Sequence, residues 1–416
     1  MSRVGKLYRS LIWRIAYYAR CVLAGALGSF ARLQSSSTKS KVIVLDPALI
    51  DSSGHHAEFA QMLTAELAPR YDVAVYSNFR VRTRLAIRVR AQPIFHESFY
   101  VMDWTQEFPW GKELAKVNFD DLFPSTIVVV HTATLPQLSG LSKWFAALPA
   151  EHRPKLFLQF QHPLEHGIKD ETNWPRAISL ARQAVGLMAA IGTVRLASNC
   201  RSLAEHVSQR LDQRCAVMPL PIRWPNMRPA TPAPLAEFGF FGGLRREKGA
   251  AIIAAAVPRF LAAHPDARFI IHAAAGGTER EDAVRILETH PQVQLIHAVF
   301  PNKTAYFEHF LKVGCCLLPY DPAAYAVRTS GILFEALGLG RMIITTRGSW
   351  MEAELNSRGR RAFLMERFHS DDLVQCLEQA RAELLGRSEV RSFDASIISE
   401  CNAASFCGAL DELMRS

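Results

Sequence analysis

From Lys41 onward, short apolar runs alternate with longer stretches in which apolar residues recur every three or four positions. Runs at 42–45, 73–77, 127–130, 156–160, 194–197 and 216–218 are apolar at most positions rather than at every second one. Runs of that kind fit strands covered on both faces. The stretches between them, beginning with 58–68, read as helices. Regular alternation of strand and helix predicts a doubly wound parallel sheet. Pro219, Pro221, Pro225, Pro229, Pro232 and Pro234 then crowd together and read as a stiff linker. The alternation restarts at Phe238, with later strands expected at 268–271, 293–296, 313–318, 342–346 and 362–364. The tail, 371–415, reads as mostly helical.

The expected division is therefore a basic amphipathic helix at 1–33, a linker at 34–41 and a Rossmann-like domain at 42–222. A Pro-rich linker at 223–237, a second Rossmann-like domain at 238–385 and a helical tail at 386–416 complete it. A chain of 416 residues suits two cores better than one. With 49% hydrophobic and 21% charged residues, its composition is that of a globular protein.

Charge changes the picture at one end. Residues 1–41 hold eight basic residues and no acidic one, so of the net +9 only +1 belongs to everything downstream. Nucleic acid is thereby excluded as a partner of the globular body. At 3–33 an apolar stripe at helical spacing is interrupted by Arg9, Arg14 and Arg20. Its longest uncharged run, 21–31, is too short to span a bilayer. A helix lying in the surface of an anionic membrane fits this pattern; a cleaved signal peptide and a helix packed on the body stay open. Five arginines at 80, 82, 84, 88 and 90 would share one face as a strand, whereas 80, 84 and 88 would align as a helix. A solvated face and a lipid-phosphate contact are both open there. Eight scattered cysteines, with no Cys-x-x-Cys pair, fit reduced thiols in the cytoplasm.

Ligands of doubly wound sheets bind beyond the carboxyl ends of strands. That rule selects Ser53-Gly54-His55-His56 after the first strand, His131 after Val130, and His162 after Phe160. Gly54 also suits a tight turn. A metal reading of His162 with His166 is disfavoured, because Pro163 breaks a helix through the pair and no third ligand is spaced nearby. In the second half, Phe241-Gly242-Gly243-Leu244-Arg245-Arg246-Glu247-Lys248-Gly249 lies between a strand and a helix. Adjacent glycines let the backbone approach an anion, and Arg245 and Lys248 supply charge. Further on, Ser330 would cap a helix whose free N–H groups, with Gly331 and Arg328, suit phosphate. Glu335, about one and a half turns in, could accept bonds from two ribose hydroxyls. No Asp-x-Asp pair occurs, so a metal-bound donor site lacks its ligand motif, and no metal or cofactor is expected.

The stretch 319–350 resembles the nucleotide-sugar site of retaining glycosyltransferases of family 4, which have the two-domain GT-B fold. Glu335-Ala336, Gly340 and Met342-Ile343-Ile344 match the second half of that family's Glu-x7-Glu pattern. The first acidic position falls on Val327, and Tyr325-x-x-Arg328-x-Ser330-Gly331 stands there as in a variant branch. The loop 241–249 resembles the family's Gly-Arg-Leu…Lys-Gly loop, with Gly243 at the Arg position and Arg245 or Arg246 as replacements. The strand ending at His162 resembles the one whose terminal His lines the catalytic cleft, and 197–206 with 217–221 resembles the connection that closes the first domain. The likeness spans 41–365.

It implies hexosyl transfer from a nucleotide sugar to a saccharide or lipid-linked acceptor, in polysaccharide or glycoconjugate synthesis at the inner face of a membrane. His162, Arg245 and Lys248 would be catalytic. Gly54, His55, Gly242, Gly243, Arg328, Ser330, Gly331 and Glu335 would hold the donor. The last helix would cross back onto the first domain. Val327 and Gly243 leave a catalytically inactive nucleotide-sugar-binding partner as the alternative; a phosphorolytic enzyme would need a pyridoxal lysine, for which no lysine context is present.

Overall fold

A computed structural model of the chain describes residues 39–51, 54–98, 110–117, 122–166, 168, 170–225, 236–273, 278–298, 300, 302–386 and 393–415. The expectations for the leader at 3–33, most of the linker at 34–41, Ser53 and most of the Pro-rich linker (226–235) lie outside them.

The first sheet holds β1 (Lys41–Asp46), β2 (Asp72–Asn78), β3 (Ala91–Phe95), β4 (Ile127–Val130), β5 (Lys155–Phe160), β6 (Val194–Ser198) and β7 (Cys215–Val217). Its strands all pair in parallel, in the order β3-β2-β1-β4-β5-β6-β7. Helices α1 (Gly54–Leu67), α2 (Thr83–Val89), α3 (Trp110–Glu113), α4 (Leu135–Ala147), α5 (Trp174–Ile191) and α6 (Arg201–Leu211) connect them. The second sheet holds β8 (Ala236–Phe240), β9 (Phe269–His272), β10 (Val293–Ile296), β11 (Val313–Leu318), β12 (Met342–Thr346) and β13 (Phe363–Met365). It too is all parallel, in the order β10-β9-β8-β11-β12-β13. Its helices are α7 (Ala250–Ala263), α8 (Thr278–Leu287), α9 (Lys303–Phe310), α10 (Gly331–Gly338), α11 (Trp350–Ser357) and α12 (Ser370–Leu385), followed by α13 (Ala395–Glu400) and α14 (Ala403–Arg415).

The apolar runs are continuous because both faces of each sheet are covered. Along β1, Val42 and Val44 enter one core while Ile43 and Leu45 enter another, and all four are buried. Ile127 and Val129 part from Val128 and Val130 in the same way along β4. Strand β3 is absent from the sequence reading, since Pro93 interrupts its pattern; it sits at the sheet edge, where a missing N–H is tolerated. The arginine-rich stretch is helical only from Thr83 to Val89, with Arg80 and Arg82 ahead of the helix: α2 buries Leu85 and Val89, and Arg90 closes it in the left-handed region at φ 52°.

Helix α14 lies on the first domain. It buries Phe406, Cys407, Leu410 and Met414 in the core that holds Val42, Val44 and Phe157, and Phe406 meets Phe59 edge-on at 5.4 Å. Asp411, buried on that helix, accepts bonds from Arg70 and, at 2.8 Å, from the Tyr71 hydroxyl. Among the described residues no helix is long and apolar enough to cross a membrane.

Candidate functional site

Each sheet reverses its strand order once, between β1 and β4 and between β8 and β11. A crevice opens at such a reversal, beyond the carboxyl ends of the two strands. In the second domain the loop after β8 occupies that position. Gly243 and Gly249 both take positive φ, 69° and 79°. A Cβ on Gly249 would meet the Pro319 carbonyl oxygen at 2.3 Å, so only glycine lets this loop lie against the end of β11. The loop tucks Lys248 inward: its ammonium donates to the Gly242 carbonyl at 2.8 Å and lies 5.2 Å from the Tyr320 ring centroid. Burial first, and then the neighbouring Arg245, pull its pKa down to about 7. Arg245 is half exposed, and its guanidinium stands 3.4 Å from Glu247.

Helix α10 points its first turn at the same crevice. Ser330 is its N-cap by backbone conformation but makes no side-chain cap bond, and a Cβ on Gly331 would meet open space. The Arg328 guanidinium rests over the Tyr325 ring at 4.7 Å. Glu335 is buried, and its carboxylate oxygens accept one bond each, from Lys303 Nζ at 2.7 Å and from the Tyr306 hydroxyl at 2.5 Å. Lys303 also stands 3.5 Å from Glu58 on α1, so an ion pair spans the two domains. Burial would lower the pKa of Lys303, but Glu335 and Glu58 outweigh it and raise it. The loop after β8 and the segment that runs into α10 after β11 set Arg245, Lys248, Arg328 and Glu335 beyond the carboxyl ends of two paired strands.

The facing wall belongs to the first domain. His162, after β5, stacks on His166 at 4.3 Å, and its Nδ1 is buried with no hydrogen-bond partner. Burial first, and then His166, Arg328, His55 and Arg245, hold its pKa at about 2, so it is a neutral imidazole at physiological pH. The Cys200 thiol donates to the Val327 carbonyl at 3.4 Å, placing Val327 at the seam of the two domains. Gly54 begins α1. His55, on the same first turn, is exposed and has its ring centroid 4.1 Å from that of His56 and 5.4 Å from that of His131. The His56 Nδ1 lies 2.9 Å from both oxygens of Asp46, the last residue of β1. Burial would raise the pKa of Asp46, but His56, with His131 and His55 behind it, holds it at about 2.

Of the residues read from sequence, Arg245, Lys248, Arg328, Ser330, Gly331 and Glu335 thus meet around one strand reversal, with Gly242 and Gly243 shaping the loop. His162 and His55 stand across from them. Sequence reasoning missed Lys303, Tyr306 and Asp46. Asp46 carried a signal, as the final residue of the first strand; Lys303 and Tyr306 carried none, because only α9 packing beside α10 brings them to Glu335.

No protein-family model matches the chain, and no curated protein matches it in sequence. Solved structures do match in shape. The sucrose-phosphate synthase of Thermosynechococcus elongatus superposes with a TM-score of 0.64 at 11% identity, over 91% of this chain and 98% of that one. A glycosyltransferase of Rickettsia africae ESF-5 gives 0.62 at 12% identity, over 91% and 98%. UDP-GlcNAc 2-epimerase of Neisseria meningitidis, bound to UDP-GlcNAc, gives 0.54 at 12% identity, over 90% and 99%. At such identities the likeness reports architecture, and with two all-parallel sheets reversing at facing crevices the chain has the GT-B fold.

Proposed function

We propose that the chain transfers a hexosyl group from a nucleotide sugar to a saccharide or lipid-linked acceptor, with retention at the transferred carbon, as a variant of glycosyltransferase family 4. The observation that carries this reading is the meeting of Lys248, Arg245 and Arg328 with the open first turn of α10 and the buried Glu335. Transfer breaks the bond between C1 and the diphosphate oxygen, and negative charge collects on the diphosphate. Cations and backbone N–H groups already fixed around that position stabilise the charge without reorganising. Each oxygen of Glu335 keeps a lone pair beyond its bond to Lys303 or Tyr306, enough to accept from the two ribose hydroxyls. His162, neutral and half-buried, faces the acceptor side. The structural neighbours, a sucrose-phosphate synthase, a glycosyltransferase and an epimerase bound to UDP-GlcNAc, support a nucleotide-sugar ligand.

The basic leader would hold the enzyme on the cytoplasmic face of an anionic membrane, close to lipid-linked acceptors and to polysaccharide or glycoconjugate assembly. A non-catalytic nucleotide-sugar binder is the second reading, favoured by Val327 and Gly243 at positions where the family carries an acid and an arginine. Mass spectrometry of copurifying material, followed by thermal-shift screening of UDP-, GDP- and ADP-sugars, tests the donor site. A ligand at a hundred times its Kd stabilises by ~2.7 kcal/mol. A melting point unmoved by every nucleotide sugar counts against both readings; a shift without turnover selects the second.

A further inference from the structure

We propose that His55, His56 and His131 bind one divalent transition-metal ion of the zinc class, with Asp46 behind them as the carboxylate that orients the ligands. The topology assembles the cluster: β1 and β4 are paired neighbours, Asp46 ends the first, His131 follows the second, and His55 and His56 open α1. One ring nitrogen from each histidine lies within 4.8 Å of the other two. Zinc–nitrogen bonds of ~2.0–2.1 Å span tetrahedral edges of ~3.3 Å, so from a separation of at most 4.8 Å the rings need to close by no more than about 1.5 Å. His55 is exposed, and its ring already lies 4.1 Å and 5.4 Å from those of His56 and His131.

The surroundings favour a cation. The His56 Nδ1 faces both Asp46 oxygens at 2.9 Å. His131 places Nδ1 3.7 Å from the same carboxylate, and its ring is stacked on Phe59 at 3.9 Å. A buried carboxylate behind a ligating histidine fixes the ring and raises its basicity. Three imidazoles leave a fourth position for an oxygen ligand, and the exposed member, His55, marks the solvent-facing side. This assigns His55 to the ion rather than to direct contact with a donor phosphate. The sequence could not show the cluster as a motif, because His131 lies far along the chain from His55 and His56.

The test uses the full chain, purified without metal-affinity resin, stripped with a chelator, and titrated with ZnCl2 in a calorimeter and with CoCl2 in a spectrophotometer. The expected result is one Zn2+ per chain and visible Co2+ absorption that Zn2+ displaces. His55→Ala, at an exposed position, should abolish both signals in a chain that melts like the parent. Asp46→Asn should weaken Zn2+ by ~10- to 100-fold. His369→Ala, on an exposed residue elsewhere, should change nothing. If the stripped chain binds no Zn2+, or if His55→Ala and His131→Ala bind it as tightly as the parent, the proposal is overturned. Neither titration requires turnover, so its failure is separate from any failure of the glycosyl-transfer reading.

Discussion

Replacing Lys248 by Met keeps most of the stem and removes the ammonium. That group is buried, and its pKa falls from 10.5 to about 7. At ~1.4 kcal/mol per unit, keeping it charged in the folded chain costs on the order of 4–5 kcal/mol at pH 7 and below. Between about 7 and 10.5 the unfolded chain holds the proton and the folded chain does not, so the parent gains stability as pH rises through that window. Below it both states are charged and the penalty is complete. Lys248→Met escapes the penalty but strips the Gly242 carbonyl of its donor, a loss of ~1–3 kcal/mol. The net gain should be on the order of 2 kcal/mol near pH 6 and should turn into a net loss of about 1 kcal/mol as pH climbs toward 10. Nucleotide binding should move the other way. A diphosphate beside the amine restores its charge, so binding above pH ~7 takes up a proton, and the parent Kd should rise about tenfold per pH unit. Lys248→Met should bind weakly and without that slope. Melting curves across pH, with calorimetry in two buffers of different ionisation enthalpy, measure both effects. A variant that melts below the parent at every pH, or a parent whose nucleotide affinity is flat from about pH 7 to 9, refutes the reasoning.

Glu335→Gln should destabilise the chain by ~2–4 kcal/mol in urea unfolding, since it strips a buried partner from Lys303, which keeps only Glu58 at 3.5 Å. It should weaken nucleotide binding as well; equal affinity for parent and variant would remove Glu335 from the ribose. Gly249→Ala forces a side chain into φ 79° and onto the Pro319 carbonyl, and should lower the melting point by several degrees while weakening diphosphate binding. A silent Gly249→Ala would show that the loop is free to move. A chain starting at Ser40 should stay folded and lose most of its affinity for anionic vesicles in low-salt cosedimentation, at ~1 kcal/mol per basic residue near the surface; undiminished binding would move the contact to Arg80, Arg84 and Arg88.

Two parallel sheets were legible because burial on both faces leaves an unbroken apolar run for nearly every strand. The exception, β3, pairs on one side only and carries Pro93. The phosphate wall was legible because its residues lie in two short segments, 241–249 and 325–335, each set by local rules of glycine turns and helix caps. Contacts between distant segments were not. Lys303 and Tyr306 reach Glu335 from another helix, and Asp46, His56 and His131 meet only once β1 and β4 pair. Arg80–Arg90 stayed ambiguous for a different reason. Its periodicity fits both helix and strand, and tertiary burial of Leu85 and Val89 decides for the helix.

The central claim is that this cleft breaks the bond between a sugar and a nucleoside diphosphate. The direct measurement is proton NMR of the full chain incubated with whichever nucleotide sugar stabilises it most, with and without simple saccharide acceptors. The account predicts slow release of nucleoside diphosphate and a first product that keeps the donor's C1 configuration, at a rate falling by about 10²-fold in Arg328→Ala. A nucleotide sugar that binds yet stays intact, or that Arg328→Ala cleaves as fast as the parent, would contradict it.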